Sequence, residues 1–325
     1  MSSTVKQINM TKKIKKVIYE QPIWLFIVLC VIGFSFSSEY FFDLNNFKNI
    51  LVQTSTIGLI ALGLTLVMIN GNIDLSVGAI VALSACLAVD LQADYGMFMA
   101  IIIGLVSGVI LGALNGLIVW KTGVDAFIVT LGAMIGIRGL VFVYTEEQSF
   151  FANDFAFSDM GSSSLAGIPA LALILIGFAI IVHFILAYTI HGRNTYAVGG
   201  NRQASIDAGI RVGPNMVINF AICGFLAALA GVTLSSQMGA ATPNLGRDFE
   251  LWAITAVVLG GTKLTGGVGS IIGTFGGVIA IGILRNGMNL LQVPSFYVLV
   301  IMGVILITVL FFDRQVNLRL EKEVG

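Results

Sequence analysis

Long apolar runs follow one another along almost the whole chain, separated by short polar or glycine-bearing stretches. A helix needs roughly 20 apolar residues to cross a hydrocarbon core. Scanned on that basis, the sequence predicts helices near 22–42, 50–69, 75–93, 97–120, 126–144, 165–190, 214–236, 251–262, 270–290 and 294–312. The eighth is the shortest, with a clean apolar stretch only from Leu251 to Gly261. Lys6, Lys12, Lys13, Lys15 and Lys16 precede the first run in the manner of a signal peptide. That run is too long for a signal h-region and no A-x-A-like site follows it, so it reads as an uncleaved membrane helix.

Charge arbitrates the topology. With the N-terminus cytoplasmic and all ten segments spanning, the inside holds the five N-terminal lysines, Lys121, Arg193, Arg202, Arg211, Lys263, Arg314, Arg319 and Lys322. The outside holds Lys48, Arg247 and Arg285, and Arg138 lies within a helix. This is the positive-inside pattern. Deleting the eighth span would move Arg314, Arg319 and Lys322 outside, so it is kept. The largest outside loop, 145–164, carries Glu146, Glu147, Asp154 and Asp159 and no basic residue. The expectation is an all-α polytopic membrane protein of about ten helices with both termini cytoplasmic. It divides into an N-terminal segment 1–21, a transmembrane domain 22–312 with a cytoplasmic loop 191–213, and a tail 313–325.

Composition agrees with that class. The chain is 57% hydrophobic and only 10% charged, against about 25% charged in soluble proteins. Seventeen basic and seventeen acidic residues cancel, which leaves no electrostatic footprint for nucleic acid. Cys30, Cys86 and Cys223 sit in apolar runs without CxxC spacing, and His183 and His191 belong to no ligand cluster, so neither a redox nor a metal site is expected.

Glycine spacing marks two helix faces. Gly104, Gly108, Gly112 and Gly116 recur every fourth residue on the fourth helix, and Gly269, Gly273 and Gly277 on the ninth. Missing side chains there let backbones approach closely, either as static packing or as a contact that slides. A faint internal echo joins SVGAIVAL at 76–83 to GVGSIIGT at 267–274, each after a glycine-bearing turn, NGNID at 70–74 and GGTKLTG at 260–266. Interrupted segments in corresponding halves point to a transport centre, because non-helical backbone at depth survives only where protein or a wet cavity satisfies it.

Candidate chemistry is sparse. Asp74 can cap the start of the third helix or, with Asn70 and Asn72, line a pathway. Arg138 either snorkels outward toward Glu146 or Glu147 or acts inside the bundle. Asn115 lies on the glycine stripe and can hydrogen-bond across helices. GGTKLTGG at 260–267 has Thr262 before Lys263 and Leu264 after it, so it is no P-loop. No nucleophile, base and orienting group recur together, so neither an enzyme nor a cofactor is expected. The cytoplasmic segment HGRNTYAVGGNRQASIDAGIRVG, 191–213, is too long for a turn. Asn201 can cap a short helix there that Gly209 terminates, giving a loop and then a rigid two-turn helix suited to docking in a partner's groove. A nearly neutral membrane interior beside such a docking element favours a passive gate driven by another subunit over an ion-coupled carrier.

GNIDLSVGAIVALSA (71–85), AFIVTLGAMIGIRGL (126–140), HGRNTYAVGGNRQASIDAGI (191–210) and ELWAITAVVLGGTKLTGGVGSIIGTFGG (250–277) resemble, in order and spacing, the inner-membrane permeases of ribose-type ABC importers. That family includes permeases for ribose, xylose, galactose and autoinducer-2, and the likeness covers roughly 45–312. It implies a type II permease of the bacterial inner membrane that pairs with a second copy or a paralogue and takes a small sugar. A cytoplasmic ABC ATPase would engage 191–213 as a coupling helix, and a periplasmic sugar-binding protein would deliver substrate to the outer face. Carried over by motif, Gly192, Arg193, Tyr196, Gly199, Gly200, Asn201, Ala204, Gly209 and Ile210 would form the ATPase-facing element. Where the family usually has proline before the phenylalanine of FIVTLG, this chain reads Val124, Asp125, Ala126, Phe127. Nucleoside or branched-chain amino-acid permeases of the same superfamily are the alternative, with a secondary transporter behind them.

Overall fold

A computed structural model describes residues 22–324, so the N-terminal segment 1–21 read above lies outside the described residues. The helices in chain order are α1 (Pro22–Ser37), α2 (Leu44–Ile69), α3 (Val77–Asp90), α4 (Gln92–Thr122), α5 (Ala126–Thr145), α6 (Phe155–Ser162), α7 (Ala170–Tyr188), α8 (Ile190–Gly200), α9 (Arg202–Asp207), α10 (Val212–Met238), α11 (Phe249–Leu259), α12 (Ile271–Leu290) and α13 (Ser295–Val324). Two-residue strands β1 (Phe150–Phe151) and β4 (Ala240–Ala241) pair antiparallel, as do β2 (Ser164–Leu165) and β3 (Ile168–Pro169).

Six of these helices, α2, α4, α5, α7, α10 and α12, are long and apolar enough to cross a membrane. The other four expected segments coincide with shorter apolar helices. At 1.5 Å per residue, α3 is about 21 Å long and α11 about 16 Å, against a hydrocarbon core of about 30 Å. Each is too short to cross it alone and is preceded by non-helical chain, 70–76 before α3 and 242–248 before α11. The sixth expected segment begins late: 164–169 form the β2–β3 hairpin, and Pro169 starts α7. The expected tail is not separate, because α13 runs on through it to Val324.

The core forms around α10, which packs against α4, α3 and α2. The glycine stripe of α4 makes the first of these contacts. A Cβ built on Gly112 would lie 2.2 Å from the Phe220 carbonyl oxygen, and one on Gly108 would lie 2.4 Å from that of Gly224. Gly116 faces Val217 and Phe220, whereas Gly104 faces the Ser84 carbonyl on α3. The stripe is thus sealed within the chain. The second stripe needs correction, since α12 begins at Ile271 and leaves Gly269 in the preceding loop. Gly273 and Gly277 do lie on α12, against Gly260 and Ala256.

Candidate functional site

The two turns that echo each other in sequence meet in space. The Gly267 amide donates to the carbonyl of Ile69, the last residue of α2, at 2.8 Å. A Cβ on Gly266 would lie 2.8 Å from the Gly71 Cα. Thr65 and Thr274, one turn from each break, share a hydroxyl hydrogen bond of 2.7 Å. Into this joint comes α8. A Cβ on Gly199 would sit 1.8 Å from the Ile69 oxygen and 2.6 Å from the Gly267 nitrogen, so only glycine allows the approach. Tyr196 donates its hydroxyl to the Gly269 carbonyl at 2.8 Å. Burial pushes its phenol up, which keeps it a donor.

The start of 191–213 is therefore a helix, where a loop was expected. Apolar Val198 and small Gly192 and Thr195 bury one face of α8, while Arg193 and Gly200 face out. Gly192 lies where a Cβ would be 2.1 Å from the Leu186 carbonyl. Asn201 then interrupts the helix, and its Oδ1 accepts the Ala204 amide at 2.9 Å, which starts α9. Gly209, at φ +80°, ends it, and Ile210 returns its amide to the Ser205 carbonyl at 2.9 Å. Arg202, Gln203, Ala204, Ile206 and Asp207 are exposed, so α9 presents a mixed apolar and charged surface.

Beneath α8 lies a cluster of neutral polar side chains. Asn70 Nδ2 donates to Asn215 Oδ1 at 2.8 Å, and Asn215 Nδ2 lies 3.2 Å from His191 Nδ1. His191 Nε2 lies 2.8 Å from Asn219 Oδ1, and Asn219 Nδ2 donates to Thr195 Oγ1 at 3.2 Å. Asn70, Asn215, Asn219 and Thr195 are all buried.

From Asn70 the chain runs non-helically to Ser76. Asp74, fully buried, was expected to cap the third helix or to line a pathway with Asn70 and Asn72. Its Oδ1 accepts the Ser76 amide at 2.9 Å and the Ser76 hydroxyl at 2.6 Å, at the residue that precedes α3. Ser76 Oγ accepts from Asn115 Nδ2 at 2.9 Å, which ties the break to α4. The Ile73 carbonyl accepts from Thr130 on α5 at 3.2 Å. Asp74 Oδ2 is buried without a hydrogen-bond partner.

Arg138 does not snorkel toward Glu146 or Glu147. Nη1 donates to the carbonyls of Pro243 and Leu245 at 2.8 and 2.9 Å, and Nη2 to that of Gly78 at 3.0 Å. The guanidinium fork satisfies backbone that the 242–248 break leaves without helical partners. The Glu250 carboxylate lies against the first turn of α3, where a Cβ on Gly78 would be 2.1 Å from its Oε2. Helix N-termini favour such a negative charge. The starts of both partial helices thus converge on Arg138 and Glu250, and Glu250 Oε2 has no hydrogen-bond partner.

A polar cavity of about 380 Å³ opens beside the turns, lined by Asn72, Ile73, Asp125, Arg202 and Leu264 among others. Asn72 and α9 thus face one space. Among the described residues no cluster of three His, Cys, Asp or Glu could hold a metal.

Sequence reading placed Asn70, Asn72, Asp74, Asn115 and Arg138 in one group; the fold puts Asn70 and Asn72 with the cluster under α8, joins Asp74 to Asn115 through Ser76, and sets Arg138 against the 242–248 loop. It missed His191, Asn215, Asn219, Ser76 and Glu250. The spacing of Asn215 and Asn219, one turn apart in an apolar run, was the available signal.

The model for the family described as branched-chain amino acid transport system / permease component matches residues 46–310. The ribose import permease protein of Bacillus subtilis (strain 168) is 43% identical over 294 residues, 90% of this chain and 91% of the relative. The D-allose transport system permease protein of Escherichia coli (strain K12) is 38% identical over 296 residues, 90% of each. The L-arabinose transport system permease protein of the same strain is 34% identical over 270 residues, 83% of this chain and 82% of the relative. No solved structure matches the chain.

Proposed function

The chain belongs to the family of branched-chain amino acid transport system / permease components, and on that premise we propose that it is the membrane subunit of an ATP-driven importer for a small sugar. The relatives named for ribose, allose and arabinose carry the sugar assignment. A neutral polyol asks for hydroxyl and amide partners rather than a counter-charge, and Asn, Ser and Thr dominate the polar positions along the 70–76 break.

The reading includes ten membrane passages with both termini in the cytoplasm of a bacterial inner-membrane protein. The partial helices α3 and α11 each complete a passage with their non-helical entrances. A second permease copy or a paralogue forms a dimer with this chain. A separate cytoplasmic ATPase grips α9 and its flanks, Arg193, Gly200, Asn201, Ala204, Gly209 and Ile210, while an extracytoplasmic sugar-binding protein loads the opposite face. Gly192, Tyr196 and Gly199 carry the movement of α9 into the bundle, because they fasten α8 to its neighbours. Asn70, Asn72, Asp74, Asn115 and Arg138 stand along the gate. The observation that carries this is the contact of Gly199 with both Ile69 and Gly267, which joins the exposed element to both breaks.

The family's own description favours one second reading, a branched-chain amino acid as cargo. One reconstitution tests both. The chain in nanodiscs with its co-isolating ATPase is mixed with the partner binding protein and either a pentose, a hexose or leucine. Sugar-stimulated ATP turnover is expected; stimulation by leucine alone would reverse the assignment. Gly200→Trp is expected to uncouple turnover from import while the chain still inserts, since a Cβ at Gly200 meets nothing within 4 Å. Full import by that variant would remove α8–α9 as the coupling element.

A further inference from the structure

Within the cluster under α8, the path of hydrogen bonds from Asn72 to His191 runs donor to acceptor in one direction. An amide oxygen only accepts and an amide nitrogen only donates. His191 Nε2 faces Asn219 Oδ1 at 2.8 Å, so that nitrogen carries the hydrogen. Nδ1 faces Asn215 Nδ2 at 3.2 Å, so it presents its lone pair. Both contacts are satisfied together by neutral imidazole in a single tautomer.

Asn215 is not free to turn over. Its Oδ1 already accepts from Asn70 Nδ2 at 2.8 Å, and reversal would set two NH₂ groups against each other. Asn70 is held in the same way, because its Oδ1 accepts from Asn72 Nδ2 at 3.2 Å. One polarity therefore runs from Asn72, in the break before α3, through Asn70 and Asn215 to His191 at the start of α8.

Resting on the coupling reading above, we propose that His191 and Asn215 are positioning residues that keep α8–α9 in register with the 70–76 break, and that this requires neutral His191. A second proton would place an N–H on Nδ1 against the Asn215 NH₂. Asn215 Nδ2 also donates to the His191 carbonyl at 3.2 Å and to Thr195 Oγ1 at 3.3 Å, so the Nδ1 proton is the donor left without an acceptor unless Asn215, Asn70 and Asn72 turn in sequence, and either outcome is costly away from water. The groups facing His191 are the neutral Asn215 and Asn219 of α10. The other charged or titratable groups at this end are exposed Tyr188 on α7, Arg211 at the start of α10, Arg202 and Asp207 on α9, Lys121 on α4 and Asp125 before α5, half-buried His183 on α7 and Lys263 before α12, and buried Asp74 in the 70–76 break. On α8 itself are exposed Arg193 and half-buried Tyr196. Asp74, Asp125 and Asp207 are hydrogen-bonded to Ser76, Phe127 and Gln203 rather than to His191.

The test is solute imported per ATP hydrolysed, measured on the complete complex in liposomes. The ATPase-side pH is taken from about 8 to about 5.5. The unmodified chain should lose at least about fivefold in this ratio toward acid, the scale of one net hydrogen bond. His191→Asn keeps an acceptor toward Asn215 and cannot take a proton, so its ratio should stay near the neutral-pH value throughout. Asn215→Asp replaces the donor with an acceptor, keeps the oxygen that Asn70 needs, and should invert the profile, coupling better in acid. If His191→Asn keeps the unmodified profile, the proposal is overturned, and this holds even if Asn215→Asp does not insert. Import that proceeds without the ATPase would instead refute the coupling reading itself.

Discussion

Two joints hold non-helical backbone away from water, and they do so by opposite means. Where Ile69, Gly199 and Gly267 meet, the contact is nearly all main chain, possible because side chains are missing. Where α3 and α11 begin, one long charged side chain, Arg138, reaches across and satisfies three carbonyls. The first joint is therefore vulnerable to added atoms and the second to lost ones. The second fixes its loop, because a guanidinium fork has a set geometry.

Five substitutions sharpen or break that contrast, each read by thermal unfolding in detergent. Arg138→Met is expected to be the most damaging, at about 3 kcal/mol or more, because it removes three hydrogen bonds, orphans the Pro243 and Leu245 carbonyls and takes a nearby positive charge from buried Glu250. Arg138→Lys should recover part of this, a single ammonium being unable to fork. Gly199→Leu comes next at about 1–3 kcal/mol, the cost of overpacking, here against backbone that cannot step aside. Asn115→Leu should cost about 1 kcal/mol, since it removes one hydrogen bond to Ser76 without adding bulk at the inner joint. Gly200→Ala should fall within about 0.5 kcal/mol, as for other open surface positions. Equal losses at Gly199 and Gly200 would show that the joint is not close-packed, and a harmless Arg138→Met would show that water already reaches the 242–248 backbone.

Much of this organisation was legible in the amino-acid order. Asn201 and Gly209 bound a short helix by local chemistry alone, a cap oxygen and a left-handed terminator, and no distant residue is needed to infer it. The glycines of α4 define a helix face by spacing, yet spacing names no partner; α10 supplies it, through Gly224 and Phe220. For Arg138 the sequence left two readings open, for the same reason. Glu146 and Glu147 are near in sequence, but the acceptors that hold it lie 105 and 107 residues ahead and 60 residues behind. His191 carried no signal of its own, being one imidazole with no ligand spacing, until α10 set Asn215 and Asn219 against it.

The sequence by itself determined that this protein lives in a bilayer and where its helices break. Apolar run length and glycine placement act locally, residue by residue, on whether a segment can leave water and remain helical. Which polar group answers which was decided only by the tertiary structure. Inside an apolar bundle each unpaired donor or acceptor must find a partner, and the partner is whichever helix packs alongside, however far away in the chain.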